Sequence, residues 1–196
     1  MTTRSVILAT ARQLFLERGY AGTTMQDIAS SAGIALDTVY ASVGRKTALF
    51  RLIVETAISG GDSPIPAEQR DYVTAIRAEP TADRKLIIYA EALTDIHRRL
   101  APIFRVLEAA SIVDSDLKAM WAEIANRRAA NMKLFAQNLA DTGNLRKDLS
   151  VSRVADIMWS MNSPEFYLLL VEQRRWSPKE YASWLADAWK RLLLHK

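Results

Sequence analysis

Polar and basic residues between Thr24 and Lys46 have the types and spacing that suit contact with nucleic acid. The interval predicts two short helices joined by the bend Gly33-Ile34-Ala35, which are the dimensions of a helix-turn-helix. The second helix turns short polar groups outward and two cations follow it, and such groups suit base edges and phosphates. The candidate contact residues are Thr24, Leu36, Asp37, Thr38, Tyr40, Ala41, Ser42, Arg45 and Lys46. Any corner between two helices has this spacing, so the spacing alone leaves a purely structural corner equally open.

The distribution of charge favours an anionic partner for the N-terminal part of the chain. The formal net charge of the 196 residues is +4. Residues 1–51 contain six basic and three acidic residues and so carry +3, whereas the other 145 residues carry only +1. Because most of the excess lies in the first quarter, we expect that quarter to meet an anion.

Composition excludes several classes of protein. Hydrophobic residues make up 49% and charged residues 24% of the chain, which is typical of a globular protein. With no cysteine there is no disulfide framework, thiolate metal site or thiol nucleophile, and a reducing cytoplasm suits the chain. The longest wholly apolar run, Phe166–Val171, is far shorter than the roughly 20 residues of a membrane span. We expect a cytoplasmic protein that has no contact with membranes.

Apolar residues recur at helical spacing almost throughout, and glycine and proline occur at boundaries, so the sequence predicts an all-α fold. Thr24 and Asp27 have the spacing of a capping box that opens the second helix, and Ser177 and Glu180 have the same spacing at the start of the last helix. The predicted N-terminal helices span about residues 4–18, 24–32, 36–42 and 46–59. The segment 60–66 is the predicted loop. The later predicted helices span about residues 67–78, 82–100, 102–112, 115–141, 151–161, 164–174 and 178–195.

The N-terminal quarter also carries a specific motif. Its residues are Phe15, Gly19, Tyr20, Thr23, Thr24, Asp27, Ile28, Ala29, Ala32, Gly33, Ile34, Thr38, Val39, Tyr40, Lys46 and Leu49. Across about Ile7 to Phe50, this pattern resembles the N-terminal domain of the TetR family of bacterial transcription regulators.

The resemblance implies an all-helical homodimer. A three-helix helix-turn-helix domain, residues 1–50, would bind operator DNA, and a helical domain, residues 51–196, would dimerise and hold a small-molecule inducer of unknown identity. Tyr40 and Lys46 would contact phosphates and Thr24 the DNA backbone, while residues 36–41 would face the major groove.

Three residues depart from the family pattern. Ala35 stands where serine usually caps the recognition helix, and loss of such a cap costs about 1 kcal/mol. Val43 stands where phenylalanine is common and is simply a smaller core residue. Asp37 stands where glycine is common. Its charge can offset the missing cap through the helix dipole, or it can accept a hydrogen bond from a cytosine amino group.

The second domain offers candidate inducer contacts, although aromatic and methionine residues at helical spacing also form ordinary core. Asp95 could orient the imidazole of His97, or His97 could simply be a solvated residue near a helix end. The candidates are Tyr89, Leu93, His97, Phe104, Trp121, Met132, Phe135, Trp159, Asn162 and Phe166. Both interpretations, cavity and core, remain open at this point.

The last predicted helix has one strongly apolar face. That face could lie on a membrane or pack on another helix, and its polar face has too little basic excess for a membrane anchor. In the family pattern, the last helix and the one that starts near Val151 form a four-helix bundle between subunits. The candidate dimer contacts are Tyr167, Leu170, Tyr181, Trp184, Leu185 and Trp189.

We therefore interpret the sequence as a dimeric, ligand-responsive repressor with no cofactor, metal site or catalytic residue. One alternative is an all-α enzyme that uses Glu91, Asp95 or His97 as acid or base in a C-terminal pocket. The sequence lacks the common metalloprotease, hydrolase and nucleotide-binding motifs, and such an enzyme gives its basic N-terminal part no role. A second alternative is a protein that coats DNA without sequence preference.

Overall fold

The computed structural model describes residues 2–61 and 63–195, and every regular element within them is helical. The all-α prediction is thus confirmed. A 3₁₀ turn at Ala67–Gln69 precedes the fifth helix, and a π-helix at Leu168–Gln173 follows the ninth. The α-helices are α1 Thr3–Arg18, α2 Met25–Ala32, α3 Leu36–Val43, α4 Lys46–Ser59, α5 Asp71–Ala78, α6 Ala82–Ser111, α7 Ser115–Ala140, α8 Val151–Met161, α9 Pro164–Tyr167 and α10 Pro178–Leu193.

The chain forms two compact units. The first contains the residues up to Ile65 together with Pro102–Glu123, and the second contains Pro66–Ala101 together with the residues from Ile124 onward. The first unit therefore includes α1 to α4, the last part of α6 and the first part of α7.

Helices α1 to α4 pack around three aromatic rings. The Phe15 ring stacks on Tyr20 at 5.7 Å and meets Phe50 edge-on at 5.1 Å, while Tyr20 meets Phe50 at 5.2 Å. The apolar stripe predicted for α1 is buried, and Val39 and Val43 turn the inner face of α3 into the same unit. Because α3 buries only this narrow face, the rest of its surface stays exposed.

The second unit is built on the apolar face of α10. Tyr181, Leu185, Trp189 and Leu193 of this helix have no exposed surface, which places them in the core. They pack with buried residues of α6, α7 and α8 in one hydrophobic cluster. This cluster surrounds the polar residues that the sequence analysis assigned to an inducer.

Both capping boxes expected from the sequence are present. The Thr24 hydroxyl accepts from the backbone N–H of Asp27 at 3.0 Å, and the Asp27 carboxylate accepts from the backbone N–H of Thr24 at 2.9 Å. Ser177 and Glu180 form the same reciprocal pair at the start of α10. These local bonds fix where α2 and α10 begin.

The break expected between residues 100 and 102 is wrong, because Pro102 lies inside the continuous helix α6. Proline has no N–H to donate to the carbonyl four residues earlier, and its ring strains the preceding turn. Ala101 and Ile103 on either side are fully buried. Packing of the neighbouring residues therefore outweighs the local preference of proline.

The helix expected over residues 164–174 is also different. It is α-helical only to Tyr167 and then widens into the π-helix, where the N–H of Arg174 donates to the carbonyl of Leu169. Arg175 follows with φ of +63°, the one positive φ outside glycine among the described residues. Short π-helices often occur at functional sites, and this one adjoins the buried cluster of the second unit.

The end of the chain pairs with the segment after α7. The N–H of Arg146 donates to the carbonyl of Leu193 at 2.9 Å, and the N–H of His195 donates to that of Asn144 at 3.2 Å. Leu145 and Leu194 form an isolated antiparallel bridge between these bonds. The last turn of α10 is thus tied to a neighbouring part of its own unit.

Replacement of Pro102 by alanine should stabilise the protein. The new N–H can donate to the carbonyl of Arg98, and removal of an interior proline relieves a penalty of up to about 3 kcal/mol. The greater freedom of the unfolded chain offsets up to about 1 kcal/mol of that gain. We expect the free energy of unfolding to rise by about 1–2 kcal/mol, measured by urea titration followed by circular dichroism.

Pro178 provides the matched control. It occupies the first position of α10, where a backbone N–H has no partner within the helix and the fixed φ of proline is favourable. Pro178→Ala should therefore leave stability unchanged or lower it by less than about 1 kcal/mol. Equal effects of the two substitutions would refute the explanation given for Pro102.

Candidate functional site

The start of α2 is held by two threonines with different roles. The Thr24 hydroxyl donates to the carboxylate of Asp27 at 2.6 Å and also accepts from the Asp27 N–H. The bond from the Thr24 hydroxyl and a second one from the Thr24 backbone N–H lower the pKa of the Asp27 carboxyl group, which therefore stays ionised. The hydroxyl that the resemblance assigns to the DNA backbone is thus already engaged in the helix cap.

Thr23 is a structural residue that the sequence analysis did not single out beyond its place in the motif. It is fully buried, and its hydroxyl lies within hydrogen-bonding distance of the carbonyls of Leu14 at 3.1 Å and Gly19 at 2.9 Å. These contacts tie the end of α1 to the entry of α2. The pair Thr23-Thr24 in the motif was the available signal.

Helix α3 presents the face that was assigned to DNA. Asp37, Thr38, Tyr40 and Ala41 are exposed, whereas Leu36 and Ser42 are half-buried. Tyr40 is 43% exposed, so its ring and hydroxyl project from the unit. An α-helix with its side chains is about 10–12 Å across, which fits the width of about 12 Å of the major groove.

The N-terminus of α3 lacks a side-chain cap, as expected from Ala35. Asp37 is the acidic residue of its first turn, where a negative charge interacts favourably with the helix dipole. The same carboxylate is exposed on the outer face of the helix. Both roles considered for Asp37 are therefore geometrically available.

Two cations adjoin the end of α3. Arg45 precedes α4, is exposed and provides no side-chain cap, so the first amides of α4 stay uncapped. Lys46 is half-buried, and its Nζ lies 4.1 Å from the centroid of the Tyr20 ring. Burial lowers the pKa of Lys46. The Tyr20 ring thus holds this ammonium group at the start of α4, shortly after α3 ends.

An acidic turn between α6 and α7 acts on the same residues. Burial raises the pKa of Tyr20, and the charges of Asp114 and Asp116 add to this shift. Asp114 also opposes the effect of burial on the pKa of Lys46. Its carboxylate also accepts from the backbone amides of Asp116 and Leu117, which caps α7. These charges lie 68 or more residues from Lys46 in sequence, so the motif gave no sign of them.

In the second unit, Tyr89 lies at the centre of a buried network. Its hydroxyl accepts from Nδ2 of Asn162 at 2.8 Å and lies 3.6 Å from Sδ of Met132. Its ring stacks on Trp189 at 5.4 Å and meets Phe135 at 4.9 Å. Burial raises the pKa of Tyr89 well above its ordinary value.

His97 is buried beside this network. Its ring lies 5.7 Å from Tyr167 and 6.4 Å from Tyr181. Burial, with a contribution from the positive charge of Arg128, lowers the pKa of His97 to about 3, so the ring is neutral at pH 7. The imidazole bonds to the backbone of Asn162, whereas the exposed Asp95 pairs with Arg98 at 3.4 Å. The expectation that Asp95 orients His97 is therefore wrong.

Six buried polar atoms in this unit have no hydrogen-bond partner within the described part of the chain. Each such atom costs roughly 1–3 kcal/mol of stability when it stays unsatisfied. They are His97 Nδ1, Arg128 Nε, Asn162 Oδ1, Glu165 Oε2, Tyr181 Oη and Trp189 Nε1. These unpartnered atoms make this part of the second unit a candidate binding site.

Arg128 links this cluster to Trp159. Its guanidinium lies 4.8 Å from the Trp159 ring centroid. Burial lowers the pKa of Arg128, and the negative charge of Glu165 opposes that shift. Nε1 of Trp159 donates to the carbonyl of Ala125, so this indole also has a structural role.

The structure divides the predicted inducer contacts. Phe104 and Trp121 belong to the first unit, where their rings stack at 4.5 Å. Phe166 packs at 6.3 Å from Trp184. Leu93 is buried in the core cluster of the second unit. Tyr89, His97 and Asn162 form the connected polar part of the predicted set.

The predicted dimer contacts divide in the same way. Tyr181, Leu185 and Trp189 have no exposed surface and Tyr167 only 4%, so they serve the core of their own unit. Trp184 and Leu170 are half-buried and keep some surface. On α10, Ala188 and Leu192 follow Trp184 at four-residue intervals, and Leu192 is exposed. This outer stripe was not separated from the core stripe in the sequence analysis.

The structure also bears on the residues considered for metal binding and catalysis. Within residues 2–61 and 63–195, no three histidine or acidic side chains are grouped so as to hold a metal ion. Glu91 and Asp95 are exposed, whereas His97 is buried. In the same ranges, no helix has both the length and the apolar character needed to cross a membrane.

Known proteins share both the motif and the fold. Residues 7–53 match the family model described as bacterial regulatory proteins, tetR family. The transcriptional repressor BepR of Brucella suis is 25% identical over 171 residues, covering 81% of this chain and 76% of that protein.

Solved structures with the same fold include NalD, the secondary repressor of the MexAB-OprM multidrug efflux pump in Pseudomonas aeruginosa. It is 19% identical, with a TM-score of 0.75 over 99% of this chain and 98% of its own. A regulator from Saccharomonospora viridis in complex with choline is 17% identical, with a TM-score of 0.70 over 98% of each chain. The matched N-terminal segment, the related repressor and the shared helical fold together support a relationship to the TetR family of bacterial transcription regulators.

Proposed function

We propose that the protein is a repressor that binds a palindromic operator as a homodimer and releases it when a small molecule binds. The exposed polar face of α3, with Arg45 and Lys46 at its end, carries this proposal. Residues 1–50 act as the DNA-binding domain, and residues 51–196 bind the ligand and the second subunit. With operator DNA as its partner, the protein acts in the cytoplasm.

The solvent exposure of each side chain indicates which part of the DNA it contacts. Residues 36–42 enter the major groove, where Asp37 and Thr38 reach base edges. Tyr40, Arg45 and Lys46 contact phosphates, and the uncapped amides at the start of α4 add hydrogen-bond donors for an anion. Thr24 contributes mainly by fixing α2, because its hydroxyl is engaged with Asp27.

The homodimer places two copies of α3 in successive major grooves about 34 Å apart. The outer stripe of α10, formed by Trp184, Ala188 and Leu192, supports the subunit contact, together with Leu170 of the π-helix. Trp184 is continuous with an aromatic set that includes Phe166 and Trp176. Burial of these apolar groups between two subunits would be favourable, because it removes apolar surface from water.

Repression, rather than activation, is supported by the relatives BepR and NalD, both of which are described as repressors. The choline complex of the S. viridis regulator supports control by a small molecule. In this chain, the buried network around Tyr89, His97 and Asn162 is the proposed ligand site. A ligand that prefers a state with unsuitable spacing of the two α3 helices lowers operator affinity in proportion to that preference.

Footprinting on the DNA upstream of the gene separates this proposal from its alternatives. A short protected palindrome supports a repressor, protection without sequence preference supports a coating protein, and no protection leaves the all-α enzyme.

Removal of the Lys46 charge should weaken binding to every DNA sequence alike. Lys46→Ala deletes one phosphate contact, so the slope of log affinity against log salt should fall by about one. Fluorescence anisotropy with operator and unrelated duplexes at several salt concentrations measures both effects. Asp114→Asn removes an anion that acts on Lys46 and keeps the cap of α7, so it should raise affinity for both duplexes.

Lys133→Ala, an equal change of charge at an exposed position of the second unit, is the control and should leave the salt slope unchanged. A Lys46→Ala protein with full affinity but a new preferred sequence would contradict the phosphate assignment.

Asp37 should influence the choice of base. If its carboxylate accepts from a cytosine amino group, Asp37→Asn should change preference at one base pair of each half-site by about 1–3 kcal/mol, and Asp37→Ala should relax it. Selection of sites from a random DNA pool with each variant measures the preference. An identical consensus from all three proteins would leave Asp37 as a charge at the helix end.

Charges on the outer stripe of α10 should separate the subunits. Trp184→Glu combined with Leu192→Glu places two carboxylates on the proposed contact and should give monomers by light scattering. Leu134→Glu on α7, where the leucine is 69% exposed, is the matched control and should remain dimeric. A folded double variant with unchanged dimer mass would exclude this surface as the interface.

A further inference from the structure

The unpartnered atoms of the buried cluster are of two kinds. His97 Nδ1 and Asn162 Oδ1 are acceptors, since the neutral imidazole uses its other nitrogen for the Asn162 backbone. Trp189 Nε1 is a donor, and the Tyr181 hydroxyl can donate or accept. The exposed fractions of these four residues are 2% or less, so solvent does not satisfy them in the folded chain.

These four residues belong to one connected cluster. His97 reaches Tyr181 at 6.4 Å between ring centroids and reaches Asn162 through the backbone bond. Asn162 bonds to Tyr89, whose ring stacks on Trp189 at 5.4 Å. The donors and acceptors therefore lie around a common aromatic core.

Charge restricts what such a site accepts. Burial lowers the pKa of His97 and raises that of Tyr89, and the positive charge of Arg128 adds to the first shift and opposes the second, so its potential reaches both residues. A second cation would be repelled there. A carboxylate would be attracted by this charge, but it has no donor for the lone pairs of His97 and Asn162 and would leave both acceptors unpaired.

A hydroxyl group can pair with both the unpartnered acceptors and the unpartnered donors, because it carries one donor and two acceptor lone pairs. It can donate to His97 Nδ1 or Asn162 Oδ1 and accept from Tyr181 or Trp189. Tyr89, Tyr167 and Phe135 supply aromatic surroundings for the apolar part of the same molecule. An ammonium group would leave the donors unmatched.

We propose that the cluster of His97, Asn162, Tyr181 and Trp189 binds an uncharged, mainly aromatic molecule through a single hydroxyl group. This inference rests on the proposed ligand-binding role of the second unit and defines the chemical class of the ligand. The hydrogen bonds of the hydroxyl group give specificity, and the surrounding aromatic rings pack against the apolar part of the ligand.

Four naphthalene derivatives of similar size test the class. Equilibrium dialysis of the full-length protein at pH 7 compares 1-naphthol, 1-methylnaphthalene, 1-naphthoate and 1-naphthylmethylammonium. We expect 1-naphthol to bind at least tenfold more tightly than each of the others, because a site with buried polar groups discriminates against ligands that leave them unpaired.

Two variants locate the selectivity. His97→Phe keeps a ring but removes Nδ1, and Asn162→Leu removes Oδ1 with little change of volume. Each should lower the preference for 1-naphthol over 1-methylnaphthalene to about threefold or less, while 1-methylnaphthalene itself binds within twofold of wild type. Ser152→Ala, an exposed position on α8, is the control and should keep the full preference.

The wild-type series decides the outcome even if a variant fails to fold. Equal binding of 1-naphthol and 1-methylnaphthalene, tighter binding of either charged derivative, or no binding of any of the four would overturn the inference. Operator binding is measured separately on the same protein without ligand. If the protein binds its operator but does not prefer 1-naphthol, only the inferred ligand class is rejected. If the protein does not bind operator DNA, the proposed repressor function is rejected.

Discussion

The DNA-binding unit depends on the packing of one side chain, Tyr20. Its ring lies against Phe15 and Phe50, its hydroxyl is 3.0 Å from Oγ1 of Thr47, and its face carries the ammonium group of Lys46. The ring thereby joins α1 to α4 and positions the ammonium group of Lys46 in a single set of contacts. Because the turn after α1 supplies this residue, the position of the Lys46 ammonium group depends on how α1 ends.

The parts of the structure that the sequence predicted are those fixed by local bonds. The capping boxes of Thr24 with Asp27 and of Ser177 with Glu180 each lie within one helical turn, so their residue types and spacing were sufficient. The inner face of α3 was predictable for a similar reason, since Val39 and Val43 recur at helical spacing.

The parts that could not be predicted depend on distant residues. Pro102 stays inside α6 because its neighbours are buried, and nothing in the local sequence reports that burial. The charge of Asp114 reaches Lys46 only through folding. In the second unit, helical spacing left both core and cavity open. The unpartnered atoms around His97 and Asn162, on which the proposed ligand site rests, come together only once α6, α8 and α10 have packed.

The pairing of the chain end with the segment after α7 changes how the second unit can open. A helix at the end of a chain ordinarily frays from its last turn, because its final carbonyls have no partners. Here Leu193 and His195 bond to Arg146 and Asn144, so the last turn of α10 cannot unwind without release of that segment as well. The two stretches therefore form one cooperative element, and local unfolding of the second unit begins elsewhere along the chain.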